Sequence, residues 1–317
     1  MEYRRLGKAG VKVSPICLGT AFRANLEEEV CVRVIERAID LGCNFLDCAN
    51  NYGRGRSEEI LGRAIKGKRD DLVITSKVWT PTAKGPNDRG LSRFHILREV
   101  ENSLRRLQTD RVDIYYLHSV DPETEWEETL RTMEDLVRQG KVRYVGASNY
   151  SAWQVTELLW MADVNGWEKV AVLQNQYNLL NRKEIEPDIL SVCRRHGVGL
   201  VTYSPLAVGL LTGLFRRGQE PPEGTPWSRQ RLDQVLSEKG DQLVQTLIDV
   251  ANGRGCTPGQ MAIAWLLDHP ELTAPIIGPD LPEHVDEAFG GVELELTEEE
   301  REALDRASQW EEPGRYL

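Results

Sequence analysis

FLDCANNYG, residues 45–53, is the stretch that decides the fold. Its apolar opening (Phe45, Leu46) delivers an acid, Asp47, and five residues later a tyrosine, Tyr52, stands in a turn crowded with Asn and Gly. An apolar strand that ends in a carboxylate and empties into a polar turn is how α/β proteins present chemistry at one edge of a parallel sheet. One such segment fits many folds. Its weight depends on whether the pattern recurs.

It recurs almost from end to end. Short β-rich apolar runs occupy residues 16–18, 44–47, 72–76, 112–117, 143–147, 171–174, 199–203 and 274–277. Amphipathic patterns of helical period lie between them, at 27–41, 57–65, 93–107, 125–139, 151–165, 184–196 and 257–268. Ser151 stands where an N-cap belongs, Pro258 in a first turn, and Gly140 and Gly197 where helices stop. Eight strands, each followed by a helix, is the count of a closed (β/α)8 TIM barrel of the α/β class. Residues 3–13 read as a small hairpin ahead of its first strand. An open doubly wound sheet is the alternative, but the chain lacks the GxGxxG that such a fold carries after its first strand.

Residues 1–317 are expected to form a single domain, which the length allows. Two connections are long: 79–92, rich in Pro, Gly and Asn, and 207–239, holding Pro221, Pro222 and Pro226. Loops of that size in a compact domain are usually functional or disordered. An extra helix is expected at 240–252.

The strand ends carry the chemistry. The second ends in Asp47, the third in Lys77, the fourth in His118, the fifth in Ser148 and Asn149, the sixth in Gln174, Asn175 and Gln176, and the seventh in Tyr203 and Ser204. Taken singly, a lysine there is more often a snorkelling surface residue and a lone histidine a satisfied core group. Six consecutive strand ends behaving this way are hard to explain as packing, since that face holds the active site in a barrel. Asp47, Tyr52, Lys77 and His118 would supply an acid, a phenol, an amine and an imidazole to one mouth. A phenol has an ordinary pKa of about 10, and a neighbouring ammonium is expected to lower it. A carboxylate behind the lysine would keep it charged and oriented, and the imidazole would orient a carbonyl or relay the proton. That is machinery for moving a proton at a carbonyl or alcohol oxygen. A hydride must come from a cofactor, since no side chain provides one.

Composition narrows the partners. A formal charge of −11, from 39 Lys+Arg against 50 Asp+Glu, disfavours nucleic acid or an anionic membrane as the main partner. No run approaches a membrane span of about 18 apolar residues. The N-terminal MEYRRLGKAG reads as neither signal peptide nor anchor. The six cysteines, without CxxC spacing, fit reduced thiols and a cytoplasmic location. Cys48 reads as a small packed residue rather than a reactive thiol. His95, His118, His196, His269 and His284 show no ligand spacing, so no metal is expected.

The chain resembles the aldo-keto reductase family over essentially its whole length. The resemblance is carried by GCNFLDCANNYGRGRSEEILG (42–62), ITSK (74–77), YYLH (115–118), GKVRYVGASNY (140–150), QNQYN (174–178) and YSPLAVGLLTG (203–213). It implies that Tyr52 is the general acid/base, supported by Asp47, Lys77 and His118. It further implies a nicotinamide cofactor. Ser148, Asn149 and Gln174 would hold its carboxamide, Tyr203 would stack on the ring, and Gly19, Thr20 and Asp47 would line the nicotinamide ribose. Ser204, Pro205, Leu206, Gly209, Leu211 and Arg229 would cover the pyrophosphate. Ile277, Gly278, Asp280, His284 and Glu287 would lie at the adenosine end. The long seventh loop resembles the branch of bacterial reductases and potassium-channel β subunits.

The family favours NADP(H). Here, though, Leu214 and Asp280 stand where relatives often carry a lysine and an arginine or serine, and Ala288 replaces a common asparagine. A 2′-phosphate needs cationic or hydroxyl partners, whereas a carboxylate suits a bare ribose, so NAD(H) is weighed beside NADP(H). Phe22, Tyr52, Trp79 and His118 are expected to wall the pocket of a small carbonyl or alcohol substrate, with Trp227 a further aromatic. Arg23 and Arg54 are weighed as contacts for an anionic or sugar-like substrate against an ordinary reading as exposed loop residues. Two other functions compete with a reductase. One is a cofactor-sensing regulatory subunit with slow turnover, which would be expected to carry an N-terminal extension. The other is a barrel aldolase using Lys77 as a Schiff base, which leaves Ser148, Asn149, Gln174 and Tyr203 without a role.

Overall fold

A computed structural model describes residues 1–22, 27–223, 225 and 227–309; Arg23 and Pro226 lie outside the described residues. The chain opens with an antiparallel hairpin of β1 (Arg4–Arg5) and β2 (Lys12–Val13), Arg4 opposite Val13. Eight parallel strands then close into a barrel: β3 (Cys17–Gly19), β4 (Phe45–Asp47), β5 (Val73–Val78), β6 (Val112–Leu117), β7 (Val142–Ser148), β8 (Val170–Gln176), β9 (Gly199–Tyr203) and β10 (Leu272–Ile277). They run in sequence order, and β10 closes on β3 through Ile277 opposite Leu18.

Helices surround the barrel: α1 (Glu28–Asp40), α2 (Arg56–Ala64), α3 (Arg93–Leu107), α4 (Trp126–Arg138), α5 (Ala152–Asn165), α6 (Ile189–His196), α7 (Arg229–Val235), α8 (Glu238–Arg254), α9 (Pro258–Leu267), α10 (Pro282–Gly290) and α11 (Glu298–Ala307). The (β/α)8 expectation therefore holds. Ser151 caps α5 and Gly197 ends α6 in a left-handed conformation, as their chemistry directs.

Two separate apolar clusters follow from the two-residue period of the strands. One face of each strand meets the helices, joining Leu46, Ile74, Tyr115, Leu173 and Leu200 to the apolar helix stripes. The other face fills the barrel with Cys17, Phe45, Val73, Ile114, Tyr116, Val172, Val201, Ala274 and Ile276. The hairpin residues Leu6 and Val13 join this inner cluster and so close one end of the barrel. Tyr116 needs room inside, and Gly146 provides it: a Cβ there would lie 2.4 Å from the Tyr116 ring.

The structure differs from expectation in three places. The helix expected from residue 184 begins only at Ile189, because Pro187 lacks the N–H that an earlier start would require. The long loop before α8 contains α7, whose first turn Ser228 caps by accepting from the Arg231 N–H. Beyond β10 lie α10 and α11, the latter opened by a Thr297/Glu300 capping box.

Candidate active site

The same alternation that builds the core builds the site. On β5, Val73 faces the barrel interior, so Thr75 and Lys77 follow it inward; on β4, Phe45 does the same for Asp47. Ile114 and Tyr116 point inward on β6, and His118 continues that row just past the strand. Inward positions at the C-terminal ends of neighbouring strands are thereby brought to one mouth.

Lys77 is fully buried, and its ammonium donates to Asp47 Oδ2 at 2.5 Å, to the Cys48 carbonyl at 2.9 Å and to the Tyr52 hydroxyl at 3.2 Å. It also lies 4.8 Å from the centre of the Tyr52 ring. Asp47 Oδ1 accepts from Thr75 Oγ1 at 2.7 Å and from Gln174 Nε2 at 3.0 Å. His118 meets Tyr52 edge to face, ring centres 6.1 Å apart. All four residues expected from the sequence meet.

The turn that carries Tyr52 is left-handed. Tyr52–Gly55 forms a short 3-10 turn in which Gly53, Arg54 and Gly55 take left-handed backbone angles of 57°, 59° and 93°. Glycine adopts these without a Cβ clash, whereas Arg54 stores strain of about 1–3 kcal/mol. The turn is anchored from behind, where Asn50 donates to Glu99 of α3 at 3.0 Å.

Electrostatics refine the sequence expectation. Burial pushes the Tyr52 phenol above its ordinary value, and Lys77 only partly opposes this. The expected lowering does not occur because desolvation of the phenolate outweighs the ammonium's attraction. Burial also acts to lower Lys77, but Asp47 prevails and raises it, so the ammonium stays charged. Burial first and Lys77 second push His118 down to about 3, leaving a neutral imidazole whose Nδ1 is buried without a hydrogen-bond partner. Cys48 is buried, donates to the Thr75 carbonyl at 2.8 Å, and burial raises its thiol, so it is a packed residue.

The residues expected to hold a cofactor form an arc along successive strand ends. Ser148 and Gln174 are buried at the ends of β7 and within β8, while Asn149 is exposed in a left-handed conformation. The Tyr203 hydroxyl donates to Asn149 Oδ1 at 2.9 Å, and Asn149 Nδ2 donates to the His118 carbonyl at 2.9 Å. Gly19 and Thr20 are buried, and the Thr20 hydroxyl is engaged with the Asp47 carbonyl at 3.0 Å and Ser57 at 2.8 Å. Ser204 is left-handed, Pro205 buried, and Leu206 leads into the 3-10 turn Ala207–Thr212, which holds Gly209 and Leu211. Arg229 opens α7 and lies 3.5 Å from Glu220 of the same long loop. Ile277 ends β10, Gly278 is exposed beyond it, and His284 and Glu287 are exposed on α10. Glu287 accepts from Thr257 at 3.1 Å. Leu214 is 65% exposed.

Phe22 and Trp79 are half-buried and pack against the outer core. Trp227 is buried; its indole donates to the Val208 carbonyl at 3.1 Å and packs beside Phe215, so it clasps the long loop. Arg54 is exposed. Among the described residues, no group of three or more His, Cys, Asp or Glu side chains could hold a metal ion. No helix among them is long and apolar enough to cross a membrane.

Sequence reading missed two supporting groups, Thr75 and Glu58. Thr75 donates its hydroxyl to Asp47 Oδ1 at 2.7 Å. Glu58 is buried, accepting from Ser76 at 2.6 Å and from Arg106 at 2.6 Å. Asn175, expected at the sixth strand end, accepts from the Asn149 N–H at 3.0 Å. Thr75 was discoverable, because it precedes Lys77 by two residues on one strand.

Comparison with known proteins agrees with this geometry. The model of the aldo/keto reductase family matches residues 15–309. An oxidoreductase of Bacillus subtilis (strain 168) is 38% identical over 94% of this chain and 93% of its own length. A probable voltage-gated potassium channel subunit beta of Arabidopsis thaliana is 36% identical, covering 93% of this chain and 92% of that one. The versiconal hemiacetal acetate reductase of Aspergillus parasiticus is 34% identical over 96% of each chain.

Proposed function

The chain belongs to the aldo/keto reductase family, and from that premise we propose that it reduces an aldehyde, ketone or sugar-like carbonyl with NAD(P)H, Tyr52 acting as general acid. The family and its oxidoreductase relatives support a general oxidoreductase function. One observation carries the finer reading: the buried Lys77 ammonium is hydrogen-bonded at once to Asp47 and to the Tyr52 hydroxyl.

The arc of polar and left-handed residues from Ser148 to Tyr203 and on to Glu287 fits an elongated dinucleotide. Ser148, Asn149 and Gln174 would hold the carboxamide, Tyr203 the ring, and the 204–211 segment the pyrophosphate. When bound, the nicotinamide supplies the hydride.

The chain's own groups handle the proton. With its phenol raised by burial, Tyr52 rests protonated across the physiological range and is ready to donate to a carbonyl oxygen. The phenolate left behind would lie beside Lys77, whose charge Asp47 secures. Neutral His118, with one ring nitrogen unpartnered, would orient the same oxygen by a hydrogen bond. Alcohol oxidation runs the same proton path in reverse.

NADP(H) is the cofactor expected from the family, and NAD(H) is proposed to serve comparably because of Leu214 and Asp280. A spectrophotometric screen of aldehydes, ketones and sugars with NADPH and NADH side by side tests the function. Turnover of none of them would count against it.

A second reading is favoured by the likeness to a channel β subunit: a protein that senses its cofactor and turns over slowly. Tight nucleotide binding with steady-state turnover far below the single-turnover rate would support it. The aldolase reading finds no support, since Lys77 is charged and buried beneath Tyr52 rather than presented as a free amine.

A further inference from the structure

The Asp47–Lys77 pair has a third member. Thr75 lies directly opposite Asp47 in the register between β4 and β5, is fully buried, and donates its hydroxyl to Asp47 Oδ1 at 2.7 Å. Its inward neighbours are apolar or aromatic, including Phe45, Val73, Ile114 and Tyr116. Valine has the same shape and would suit such surroundings without placing a hydroxyl there. The hydroxyl has a charged acceptor, and a hydrogen bond to a charged group is stronger than one between neutral groups.

The two Asp47 oxygens are divided by this arrangement. Oδ1 takes Thr75 and Gln174; Oδ2 takes Lys77. A carboxylate fixed on one oxygen cannot swing, so the other stays aimed at the ammonium that touches Tyr52.

We propose that Thr75 is a positioning residue for proton transfer, fixing the Asp47 carboxylate so that Lys77 remains charged and directed at the Tyr52 hydroxyl. This rests on the reading of Tyr52 as the general acid. Thr75 touches neither substrate nor cofactor and acts through Asp47.

The titratable groups around the pair are Tyr52 and Cys48 from the turn after β4, Lys77 on β5, Tyr116 on β6 and His118 just past it, and Cys17 on β3. His118 is neutral, and the thiols and Tyr116 are raised by burial, so the Lys77 ammonium is the cation of this cluster. The Asp47 anion raises both Lys77 and Tyr52. A loosened Asp47 therefore lowers Lys77, and a Lys77 no longer directed at the hydroxyl raises Tyr52, because the ammonium opposes burial there more strongly than Asp47 adds to it.

The test compares wild type, Thr75→Val, Thr75→Ser and Tyr52→Phe as full chains, with 4-nitrobenzaldehyde and NADPH as probes. Thr75→Val is expected to lose about tenfold in kcat, the kinetic equivalent of one hydrogen bond to a charged group, with little change in KM. The alkaline limb of its pH profile moves to higher pH, and Thr75→Ser restores both. Ultraviolet difference titration of Tyr52, each protein read against its own Tyr52→Phe partner, reports the same upward shift without substrate. An unshifted phenol in Thr75→Val, or a serine variant no better than valine, overturns the proposal. Tyr52→Phe separates the two claims: if it keeps wild-type turnover, the general-acid reading fails; if it is inactive while Thr75→Val matches wild type, only the positioning role fails.

Discussion

Lys77 and Asp47 form a buried ion pair across neighbouring strands, Nζ to Oδ2 at 2.5 Å, with the lysine side chain wholly shielded from solvent. Such a pair is weak evidence for stability, because desolvating two charges offsets most of their attraction. Removing one partner is another matter. Lys77→Met leaves the Asp47 carboxylate buried and unpaired, and should cost about 3–5 kcal/mol. Asp47→Asn in the same background should recover part of that loss, as read by urea denaturation of the two single variants and the double.

His118 makes stability sensitive to acid. Its folded value of about 3 lies below the ordinary histidine value of about 6.5. The sign follows from linkage: the unfolded chain binds the proton first as pH falls. Stability from the neutral buried imidazole is therefore present above about pH 6.5 and is lost progressively toward pH 3. His118→Gln should flatten that part of the stability curve, measured by thermal unfolding across the range.

Inside the barrel, Gly146 is a steric requirement. A Cβ 2.4 Å from the Tyr116 ring, in a fully packed interior, forces that ring or the β6–β7 pairing to shift. Gly146→Ala should destabilise by about 1–3 kcal/mol. An unchanged melting temperature would mean that Tyr116 has room the packing does not show.

Cofactor choice turns on the adenosine end. Leu214 and Asp280 offer no cation to a 2′-phosphate, so NADPH and NADH should support turnover with comparable kcat/KM. Asp280→Arg should raise the preference for NADPH by about tenfold, one charge-assisted contact with phosphate. A hundredfold native preference for NADPH would remove this expectation.

The barrel was legible because its two periodicities are written into the chain. Apolar runs at 112–117 and 199–203 coincide with β6 and β9, and the pattern at 93–107 coincides with α3. Asp47, Lys77 and His118 were legible for the same reason, each closing an inward row. What escaped is set by tertiary context. The phenol of Tyr52 depends on how deeply its turn is buried, which local sequence does not specify, and so its shift has the opposite sign to the one charge alone suggests. Trp227 reads equally as pocket wall or packing until the long loop folds beneath it. Glu58 and Arg106 belong to segments far apart in the chain, so their buried contact leaves no local signature.

The central claim is that the Tyr52 hydroxyl, held by Lys77, moves the proton. The most direct measurement compares Tyr52→Phe with wild type in carbonyl reduction, while nucleotide binding is followed by fluorescence. Loss of the hydroxyl should lower turnover by about a hundred- to ten-thousandfold, with nucleotide affinity near that of wild type. Turnover close to wild type in that variant would contradict it.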